Sequence, residues 1–363
     1  MQDIFQIIQT LRKMRQAYKA GAKKLDYLPL RLWVELTNNC NLRCSFCPNS
    51  QPRNTVKGFM SLDTFKEVVN QAKAFAYDMN LSHRGESLLN ALLPEMILYA
   101  KKNGISTRLN TNATILDVDK SKALLEAGLD FISFSFDGIS PEIYEKSRRN
   151  ASYQITLENI LNFLITKKKL KSNLPYVMLE VLEIPGVSFD RVNLSRFRSL
   201  FRNLPLNKFT IKPLHNWGGY LANPLSDESA NKTFSAGIKY SPCTNIWYSM
   251  VILWDGSVSI CCQDWYNDNC LGNIRDSSLE AMWNGEVMVA VRDLLSKKQF
   301  NQIDICSKCD LLWRPSYKGI PNINLVNFIT ENLIGYNRLR SLISPFEKFF
   351  ESRKGLSSRT IIK

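Results

Sequence analysis

Three cysteines lie close together near the start of the chain, at Cys40, Cys44 and Cys47 in the run Cys-Asn-Leu-Arg-Cys-Ser-Phe-Cys. This spacing places three thiolates in one short loop. They are enough to hold three irons of a [4Fe–4S] cube while the fourth iron stays open to another ligand. A zinc knuckle and buried structural thiols are the alternatives. A structural zinc site needs four ligands, however, and no neighbouring Cys or His in the sequence supplies a fourth here.

A second group of cysteines follows in the C-terminal third of the chain. It consists of Cys243, Cys261, Cys262, Cys270, Cys306 and Cys309. The last two form a CxxC pair typical of metal ligands, and Cys243 and Cys261 offer two more distant thiolates. Asp255-Gly256 between apolar residues predicts a hairpin that brings Cys261 back toward Cys243. These four thiolates can hold an iron–sulfur cluster or, as in a zinc ribbon, a zinc ion.

The elements that must position these loops follow a repeated pattern. Between about residues 31 and 215, short strand-like runs alternate with helical stretches, which is typical of βα units around a parallel sheet. The predicted strands are Leu32–Thr37, Asp78–Ser82, Thr107–Thr111, Phe131–Phe136, Val177–Glu183 and Phe209–Lys212. The first cysteine loop directly follows the first strand, and in such folds the functional residues lie in the loops after the strands.

Polar residues share one face of several predicted strands, because successive side chains in a strand point to opposite faces. Glu35 and Thr37 lie on one face of the first strand, and Ser133 and Ser135 lie on one face of the fourth. A complete eight-stranded barrel fills its interior with branched apolar side chains. Six strands with a polar lining therefore predict an incomplete barrel, open on one side, whose interior holds water or a ligand.

Length and cysteine content limit the class of protein. A chain of 363 residues can bury a substantial core, and we expect one large domain and a smaller one. Nine cysteines without a recognisable signal peptide favour a reducing cytoplasm and metal binding. No uncharged apolar run reaches about 18 residues, so the sequence predicts no membrane-spanning helix.

The net charge of +14 first suggests a nucleic-acid partner. Residues 1–30 carry six Lys/Arg against two Asp/Glu, and residues 324–363 carry seven against three, so each end contributes +4. Apolar residues recur at helical spacing in both ends. Each end is therefore predicted to be a basic amphipathic segment that packs on its own domain or docks on a membrane or a partner. No nucleic acid is expected, because basic residues interleaved with aromatics are not evident in the predicted domains.

The first cysteine loop resembles that of the radical S-adenosylmethionine (SAM) superfamily, whose CxxxCxxC motif Cys40, Cys44 and Cys47 match position by position. Phe46 fits the aromatic residue usual before the third cysteine. The resemblance covers about residues 29–216 and implies an incomplete (β/α)6 TIM-like barrel. It also implies that the open iron binds the amino and carboxylate groups of SAM, and that one electron cleaves SAM to a 5′-deoxyadenosyl radical.

The same resemblance implies SAM contacts in the loops after strands two to four. They fall on Gly85, Glu86, Asn112, Ser135, Asp137 and Arg148. The run Arg-Gly-Glu at 84–86 stands where the family has a Gly-Gly-Glu run that meets the SAM ammonium group, so an arginine replaces its first glycine. The run Thr-Asn-Ala at 111–113 resembles a Thr-Asn-Gly run. Ser135 and Asp137 correspond to ribose contacts and Arg148 to a carboxylate contact. Ordinary turns and a solvated arginine are the alternatives.

The C-terminal segment resembles the SPASM or twitch extensions of radical SAM enzymes, in which a hairpin and a short helix hold an auxiliary [4Fe–4S] cluster. The resemblance assigns its ligands to Cys243, Cys261, Cys306 and Cys309. A full SPASM domain needs about seven cysteine ligands for two clusters, so six cysteines favour the single-cluster version. Two [4Fe–4S] clusters and SAM are therefore the predicted cofactors.

Four residues are candidates for chemistry on the substrate. Cys262 is either an inert buried thiol or a hydrogen-atom donor, and Asp264 is either a turn residue or a base. His83 and His215, the two histidines of the chain, end predicted strands on the same rim and could transfer protons. A packed structural role is the alternative for both histidines. Cys270 is the remaining spare thiol.

These assignments divide the chain into five predicted parts. They are a basic amphipathic N-terminal helix (1–28), a radical SAM partial barrel (29–216), a linker (217–240), a SPASM/twitch auxiliary-cluster domain (241–322) and a basic amphipathic C-terminal tail (323–363). The predicted fold class is α/β, with the incomplete barrel followed by a small β-hairpin and helix domain that binds iron and sulfur.

Together these features predict a cytoplasmic radical SAM oxidoreductase or epimerase that abstracts a hydrogen atom from a polar small molecule, such as a sugar, nucleotide sugar or aminocyclitol. A flavodoxin- or ferredoxin-type protein is the expected electron donor. A peptide- or protein-modifying maturase is one alternative. We expect it less, because many such relatives carry a peptide-binding domain before the barrel and only 39 residues precede Cys40. A non-catalytic zinc protein with basic docking ends is another alternative.

Overall fold

The computed structural model describes residues 4–51, 55–183, 191–221, 238–317 and 320–321. The helices are α1 (Ile4–Ala20), α2 (Leu62–Ala72), α3 (Leu93–Lys102), α4 (Val118–Ala127), α5 (Pro141–Ser147), α6 (Tyr153–Lys169), α7 (Arg191–Ser199), α8 (Asn245–Tyr248), α9 (Leu279–Trp283), α10 (Glu286–Ser296) and α11 (Asp304–Ser307). The strands are β1 (Arg31–Val34), β2 (Asp78–Asn80), β3 (Ser106–Thr111), β4 (Phe131–Ser135), β5 (Tyr176–Glu183), β6 (Lys208–Pro213), β7 (Ile238–Tyr240), β8 (Ser249–Ile252), β9 (Ser257–Ser259), β10 (Cys270–Asn273), β11 (Trp313–Tyr317) and β12 (Ile320–Pro321).

The first six strands lie side by side in chain order, and each pairs in parallel with the next. Helices connect them, as parallel pairing requires. The prediction of six strands in an α/β partial barrel is confirmed. The strand ends differ from the prediction by at most three residues, the largest difference being that β1 ends at Val34 rather than Thr37.

Local signals in the sequence begin and end the connecting helices. At the start of α2, the Ser61 hydroxyl accepts a hydrogen bond from the Thr64 backbone N–H. At the start of α4, the Asp117 carboxylate accepts one from Lys120. That helix ends at Gly128, whose φ of +78° is left-handed. Such a side-chain cap contributes about 1 kcal/mol, so these boundaries are fixed largely by short-range sequence.

The two faces of β1 meet different surroundings. Leu32 and Val34 are fully buried in the main apolar core, which also contains the inner faces of the helices. Trp33 lies on the opposite face and packs with a small cluster from the C-terminal segment. Glu35, which follows the strand, is also completely buried on that second face and is paired with an arginine. The polar interior predicted from strand alternation is therefore present.

Charged and aromatic side chains fill the end of the barrel at which the strands begin. Arg31 binds Asp78 through two contacts, Nε to Oδ1 at 2.7 Å and Nη2 to Oδ2 at 2.5 Å. The Arg108 guanidinium lies 4.1 Å from the centre of the Phe131 ring, which stacks on Tyr176. These contacts occupy that end, so the opposite end, where the loops after the strands lie, is the one available to ligands.

The C-terminal segment adds directly to the barrel sheet. Strand β8 pairs in parallel with β1, and β9 and β10 follow it as antiparallel neighbours. The described sheet therefore has nine strands in the order β10-β9-β8-β1-β2-β3-β4-β5-β6, and it is not closed. The hairpin predicted at Asp255-Gly256 joins β8 to β9. The predicted boundaries of the barrel and the auxiliary domain stay predictions, and the structure shows that the two parts share one sheet.

The N-terminal helix packs against this C-terminal segment. Ile7, Leu11 and Met14 on one face of α1 are buried in the main core. After the helix, the Trp247 indole donates a hydrogen bond to the Ala22 carbonyl at 2.8 Å. Of the two possibilities for the N-terminal segment, these contacts favour packing on the same molecule.

Two further sequence predictions concern the ends of the C-terminal half. The predicted linker finishes in β7, which pairs with β11 in a three-stranded sheet that also contains β12. The predicted C-terminal tail, 323–363, lies outside the described residues. Among the described helices, none has the length and apolar character needed to cross a bilayer.

Candidate cluster sites

The first cysteine loop follows β1 at the ligand-accessible end of the barrel. Cys40, Cys44 and Cys47 pack with Leu42 and Phe46 in one small apolar cluster. Burial raises the pKa of the Cys40 thiol to about 11 and that of the Cys47 thiol to about 12, and neighbouring thiols in the same loop add to both shifts. The structure thus brings the three predicted ligand thiols together in one loop that is largely shielded from water.

This loop fits an iron–sulfur cluster in two respects. Backbone N–H groups of Leu42 and Asn49 hydrogen-bond to the sulfurs of Cys40 and Cys47, an interaction that favours the thiolate forms. The remaining charge compensation that buried thiolates need is what a bound metal cluster supplies. All nine cysteines lie in the described part of the chain, and none forms a disulfide.

A single metal ion fits less well. Within the described residues, no group of three or more His, Cys, Asp or Glu side chains could hold one ion.

Glu86 organises the loops beside the first cysteine loop. Its buried carboxylate accepts hydrogen bonds from the Thr111 hydroxyl at 2.9 Å, the Asn112 backbone N–H at 2.8 Å and the Leu88 backbone N–H at 3.1 Å. Burial raises the pKa of this carboxyl and the three donors oppose the shift. The amide of Asn112 in turn lies 3.9 Å from the sulfur of Cys40. Two of the predicted cofactor residues therefore connect directly to the cysteine loop.

Backbone geometry explains two residue types in these loops. Gly85 approaches the first loop so closely that a Cβ would lie 2.3 Å from the carbonyl oxygens of Thr37 and Asn39. Only glycine fits there. Ala113 has a φ of +58°, which is left-handed and strained for a residue with a side chain. The glycine of the family's Thr-Asn-Gly run would adopt this conformation without strain.

The structure pairs two other predicted cofactor residues with each other. The Arg148 Nη2 lies 2.6 Å from Asp137 Oδ2, and both side chains are buried. The other Asp137 oxygen accepts the Leu182 backbone N–H at 3.0 Å. Arg148 also lies 5.7 Å from the centre of the Phe46 ring, so it stays beside the cysteine loop. It is not the solvated arginine of the alternative interpretation. Ser135 ends β4 on the same rim and is partly exposed.

Arg84, which replaces the family glycine, forms a buried ion pair across the barrel. Its Nε lies 2.6 Å from Glu35 Oε2, and its Nη2 lies 2.7 Å from Glu35 Oε1. Its Nη1 donates to the backbone carbonyl of Trp265 in the C-terminal segment at 2.9 Å. The substitution therefore connects the loop after β2 to the segment that carries the second cysteine group.

The second cysteine group is also assembled in space. Burial raises the pKa of the Cys261 thiol, and the adjacent Cys262 and the more distant Cys306, Cys243 and Cys309 add to the shift. Burial likewise raises the pKa of Cys306 to about 12. The structure thus brings the predicted auxiliary ligands Cys243, Cys261, Cys306 and Cys309 together, although 66 residues of sequence separate the first from the last.

The two remaining thiols of this segment have different surroundings. Cys262 packs with Trp33, Val251 and Leu253 on the inner face of the sheet. Its sulfur lies 3.5 Å from the Asn245 amide. Cys270 is exposed at the start of β10.

Asp264 is held by its own loop. Its Oδ2 accepts hydrogen bonds from the Ser259 hydroxyl at 3.0 Å and the Asn269 N–H at 2.9 Å. Its Oδ1 accepts the Asp268 N–H at 3.0 Å. The side chain is completely buried. These contacts favour the turn role for Asp264 over the role of base.

The two histidines are connected through two tryptophans. The ring of His83 lies 5.4 Å from Trp265, which lies 5.1 Å from Trp217, which lies 4.1 Å from His215. We call His83, Trp265, Trp217 and His215 the aromatic wall. It joins the rim of the barrel to the loop of the second cysteine group, because Asn216 donates a hydrogen bond to the Lys308 carbonyl between Cys306 and Cys309.

Trp217 is held in an unusual backbone conformation. Its φ of +51° is left-handed, which costs a bulky residue on the order of 1–3 kcal/mol and is concentrated at functional sites. Sequence reasoning did not single out Trp217 or Trp265. Their positions beside the candidates His215 and Asp264 were the available signal.

Comparison with known proteins follows the same division of the chain. The radical SAM superfamily model matches residues 34–180, and the model of the iron-sulfur cluster-binding SPASM domain matches residues 243–310. These regions contain both cysteine groups. An Fe-coproporphyrin III synthase of Methanosarcina barkeri is 24% identical over 341 residues, which cover 79% of this chain and 82% of that protein.

Two solved structures share the fold. BtrN in complex with AdoMet and 2-DOIA superimposes with a TM-score of 0.53 at 17% identity, covering 79% of this chain and 94% of that one. SuiB of Streptococcus suis bound to the precursor peptide SuiA superimposes with a TM-score of 0.58 at 12% identity, covering 80% of this chain and 72% of that one. At these identities the likeness is one of architecture.

Proposed function

Because this chain belongs to the radical SAM superfamily and carries a SPASM-type iron–sulfur domain, we propose that it abstracts a hydrogen atom from a polar small molecule, such as a sugar, nucleotide sugar or aminocyclitol, and so oxidises or epimerises it. Its cofactors are SAM and two [4Fe–4S] clusters. When bound, they supply reductive cleavage of SAM and a second redox centre beside the substrate.

The protein's own residues have separate tasks in this proposal. Cys40, Cys44 and Cys47 hold the first cluster and leave one iron to SAM. Glu86 keeps the adjacent loops in register through its three hydrogen bonds. The pair of Asp137 and Arg148 lines the SAM pocket, where the guanidinium could also bind the SAM carboxylate.

One observation supports the proposed position of the substrate. The aromatic wall connects the rim of the barrel, which carries the first cysteine loop, to the loop of Cys306 and Cys309. A molecule bound against this wall lies between the two cysteine groups. Polar side chains on the inner strand faces, including Asn80 and Ser133, continue the site into the barrel. This lining supports a polar substrate.

Cys262 decides between the two outcomes in this proposal. Its thiol packs on the inner face of the sheet with Trp33. If this thiol gave a hydrogen atom to the substrate radical, the reaction would be an epimerisation, and the thiyl radical left on Cys262 would return to a thiol with one electron from the external donor and one proton. If a cluster held by the second cysteine group accepted the electron of the substrate radical, with loss of a proton, the reaction would be an oxidation.

The test begins with anaerobic reconstitution. We expect about eight irons per chain and formation of 5′-deoxyadenosine after reduction in the presence of SAM. Four irons with activity would mean that the C-terminal cysteines hold no cluster. Zinc alone, with no SAM cleavage, would contradict the proposal. We expect a flavodoxin- or ferredoxin-type protein to serve as electron donor, and reduced proteins of each type can replace dithionite in the same assay.

A peptide substrate is the second candidate, supported by the edge of the sheet. Within the described residues, β6 pairs only with β5, and Ile211 and Lys212 on it are exposed. An extended peptide could add to such an edge by backbone pairing. SuiB is bound to a precursor peptide in its structure. Peptide-dependent acceleration of 5′-deoxyadenosine formation would favour this candidate over the small molecule.

A further inference from the structure

Three buried polar atoms at or beside the aromatic wall have no hydrogen-bond partner within the described part of the chain. They are His83 Nε2, Trp217 Nε1 and Gln263 Oε1. The side chain of Gln263 is only 7% exposed. Buried polar atoms in folded proteins are nearly always hydrogen-bonded, so three orphans close together indicate a polar group that is bound there in the functioning enzyme.

The three atoms belong to one small region. His83 and Trp217 both contact Trp265, at ring distances of 5.4 and 5.1 Å. Gln263 is two residues before Trp265, and its carbonyl would lie 3.2 Å from a Cβ at Gly218. Trp217 is held there despite its left-handed φ of +51°. The indole of Trp217 is partly exposed, so it can also offer an apolar surface.

Several charged side chains around this region are matched with one another. Among the described residues, Arg84 pairs with Glu35, and Arg148 pairs with Asp137. Deeper in the barrel Arg31 pairs with Asp78, and on the open side Lys212 pairs with Glu180.

The three orphaned atoms of the wall are neutral, whereas the buried Oδ1 of Asp310, whose Oδ2 accepts the Asn216 backbone N–H, also has no partner in the described chain. Burial lowers the pKa of His83 to about 4, with Glu35 opposing and Arg84 adding to the shift, so its imidazole is uncharged near pH 7. Deeper in the barrel Asn80 Oδ1 and Ser133 Oγ are also buried without a partner in the described chain. At the wall itself the available groups are thus uncharged donors and acceptors, and the nearby Asp310 carboxyl group offers no positive charge to an anion.

We propose that the substrate is an uncharged, hydroxyl-rich ring whose hydroxyl groups bond to His83, Trp217 and Gln263 while a C–H face rests on the Trp217 indole. This inference rests on the proposed function and narrows it. A pocket whose polar groups are neutral hydrogen-bonding atoms recognises hydroxyls well and gives no compensation for a buried phosphate or carboxylate. Phosphorylated sugars and nucleotide sugars are therefore excluded as the group bound at the wall.

The test is a binding comparison on the reconstituted holoenzyme with SAM present. The probes are myo-inositol and methyl glucoside, each matched with a phosphorylated counterpart, inositol phosphate and glucose 1-phosphate. Isothermal titration calorimetry gives the affinities. We expect the neutral probes to bind about tenfold more tightly than their phosphorylated counterparts, or better, because the phosphate must be desolvated without a partner.

Two variants test whether the neutral probes bind at the aromatic wall. Trp217→Phe and Gln263→Leu each remove one hydrogen-bonding atom and keep most of the shape, and we expect about five- to tenfold weaker binding of the neutral probes. Iron content verifies that each variant has folded. Trp313→Phe, in the three-stranded sheet, and Gln154→Leu, on the surface of α6, are the matched controls and should bind like the parent.

The possible outcomes separate this inference from the proposed function. Tighter binding of the phosphorylated probes, no binding of either neutral probe, or parental affinity in both wall variants would each overturn the inference. The last result would mean that water alone satisfies the orphaned atoms. A holoenzyme that forms no 5′-deoxyadenosine would contradict the proposed function, whatever the probes bind.

Discussion

The guanidinium of Arg84 and the carboxylate of Glu35 meet through two parallel contacts, at 2.6 and 2.7 Å, and both side chains are buried. The same guanidinium donates to the Trp265 carbonyl. One ion pair therefore connects the end of β1, the loop after β2 and the C-terminal segment. A glycine, which the family has at this position, could make none of these side-chain contacts.

Breaking this pair should be strongly destabilising. Arg84→Gly or Arg84→Leu leaves the Glu35 carboxylate buried without its partner, and we expect a loss of about 3–5 kcal/mol in the free energy of unfolding. Urea unfolding of the apoprotein and holoenzyme measures it. Lys13→Ala is the matched control, because the ion pair of Lys13 with Asp26 is exposed and should contribute less than about 1 kcal/mol. Equal small losses in both variants would contradict the role of Arg84.

Gly85→Ala tests the close approach of the loop after β2 to the first cysteine loop. The added methyl group would lie 2.3 Å from two backbone oxygens, which cannot move independently of the cysteine loop. We expect a loss of about 1–3 kcal/mol in stability and weaker SAM binding. Gly285→Ala is the control, since its Cβ would meet nothing closer than 3.3 Å and should cost less than about 1 kcal/mol. An unchanged SAM affinity in Gly85→Ala would show that the loop after β2 can move away from the first cysteine loop without weakening SAM binding.

Ala113→Gly should be nearly neutral in stability. Relief of the left-handed strain, roughly 1–2 kcal/mol, offsets both the greater entropy that glycine gives the unfolded chain and the loss of a buried methyl group. Ala123→Gly in α4 has no strain to relieve and should lose about 1 kcal/mol. Thermal unfolding of the two variants in parallel compares them. A larger loss for Ala113→Gly than for Ala123→Gly would refute the explanation.

His83 should make stability depend on pH. Burial lowers the folded-state pKa to about 4 from 6.5. The unfolded chain therefore binds a proton that the folded protein does not, and stability falls as the pH drops from about 6.5 toward 4. His83→Phe keeps a ring beside Trp265 and removes the titration. Relative to this variant, the parent should lose at most ~3 kcal/mol over that window, measured by urea unfolding at stepped pH. His83→Gln should show the same flattened pH profile whatever its absolute stability. A parental profile in both variants would place the titrating group elsewhere.

The iron content of single variants should show which thiols of the C-terminal segment bind a cluster. Cys261→Ala removes a thiol that lies among Cys243, Cys306 and Cys309, so about four of about eight irons per chain should be lost. Cys262→Ala and Cys270→Ala should keep the parental iron content, because one thiol packs on the inner sheet face and the other is exposed. Loss of iron in Cys262→Ala would reverse the assignment of these adjacent cysteines.

The sequence by itself determined the enzyme class and the architecture of this protein. The spacing of ligands within a loop and the alternation of apolar and polar residues within a strand are short-range patterns. They can therefore be recognised in the amino-acid sequence alone. The CxxxCxxC loop, the six parallel strands and the division into two cysteine groups were therefore predictable. The roles of Gly85 and Ala113 had a partial signal, since the family motifs have glycines around these positions.

Only the tertiary structure decided which distant side chains meet. Arg84 contacts a carbonyl 181 residues away in the sequence, and β8 pairs with β1, more than two hundred residues earlier in the chain. The aromatic wall joins residues from three separate loops. Asp264 had two possible roles in the sequence, and the three donors of its folded loop favour the turn role. Such contacts depend on how packed elements are oriented, and no local pattern encodes that orientation.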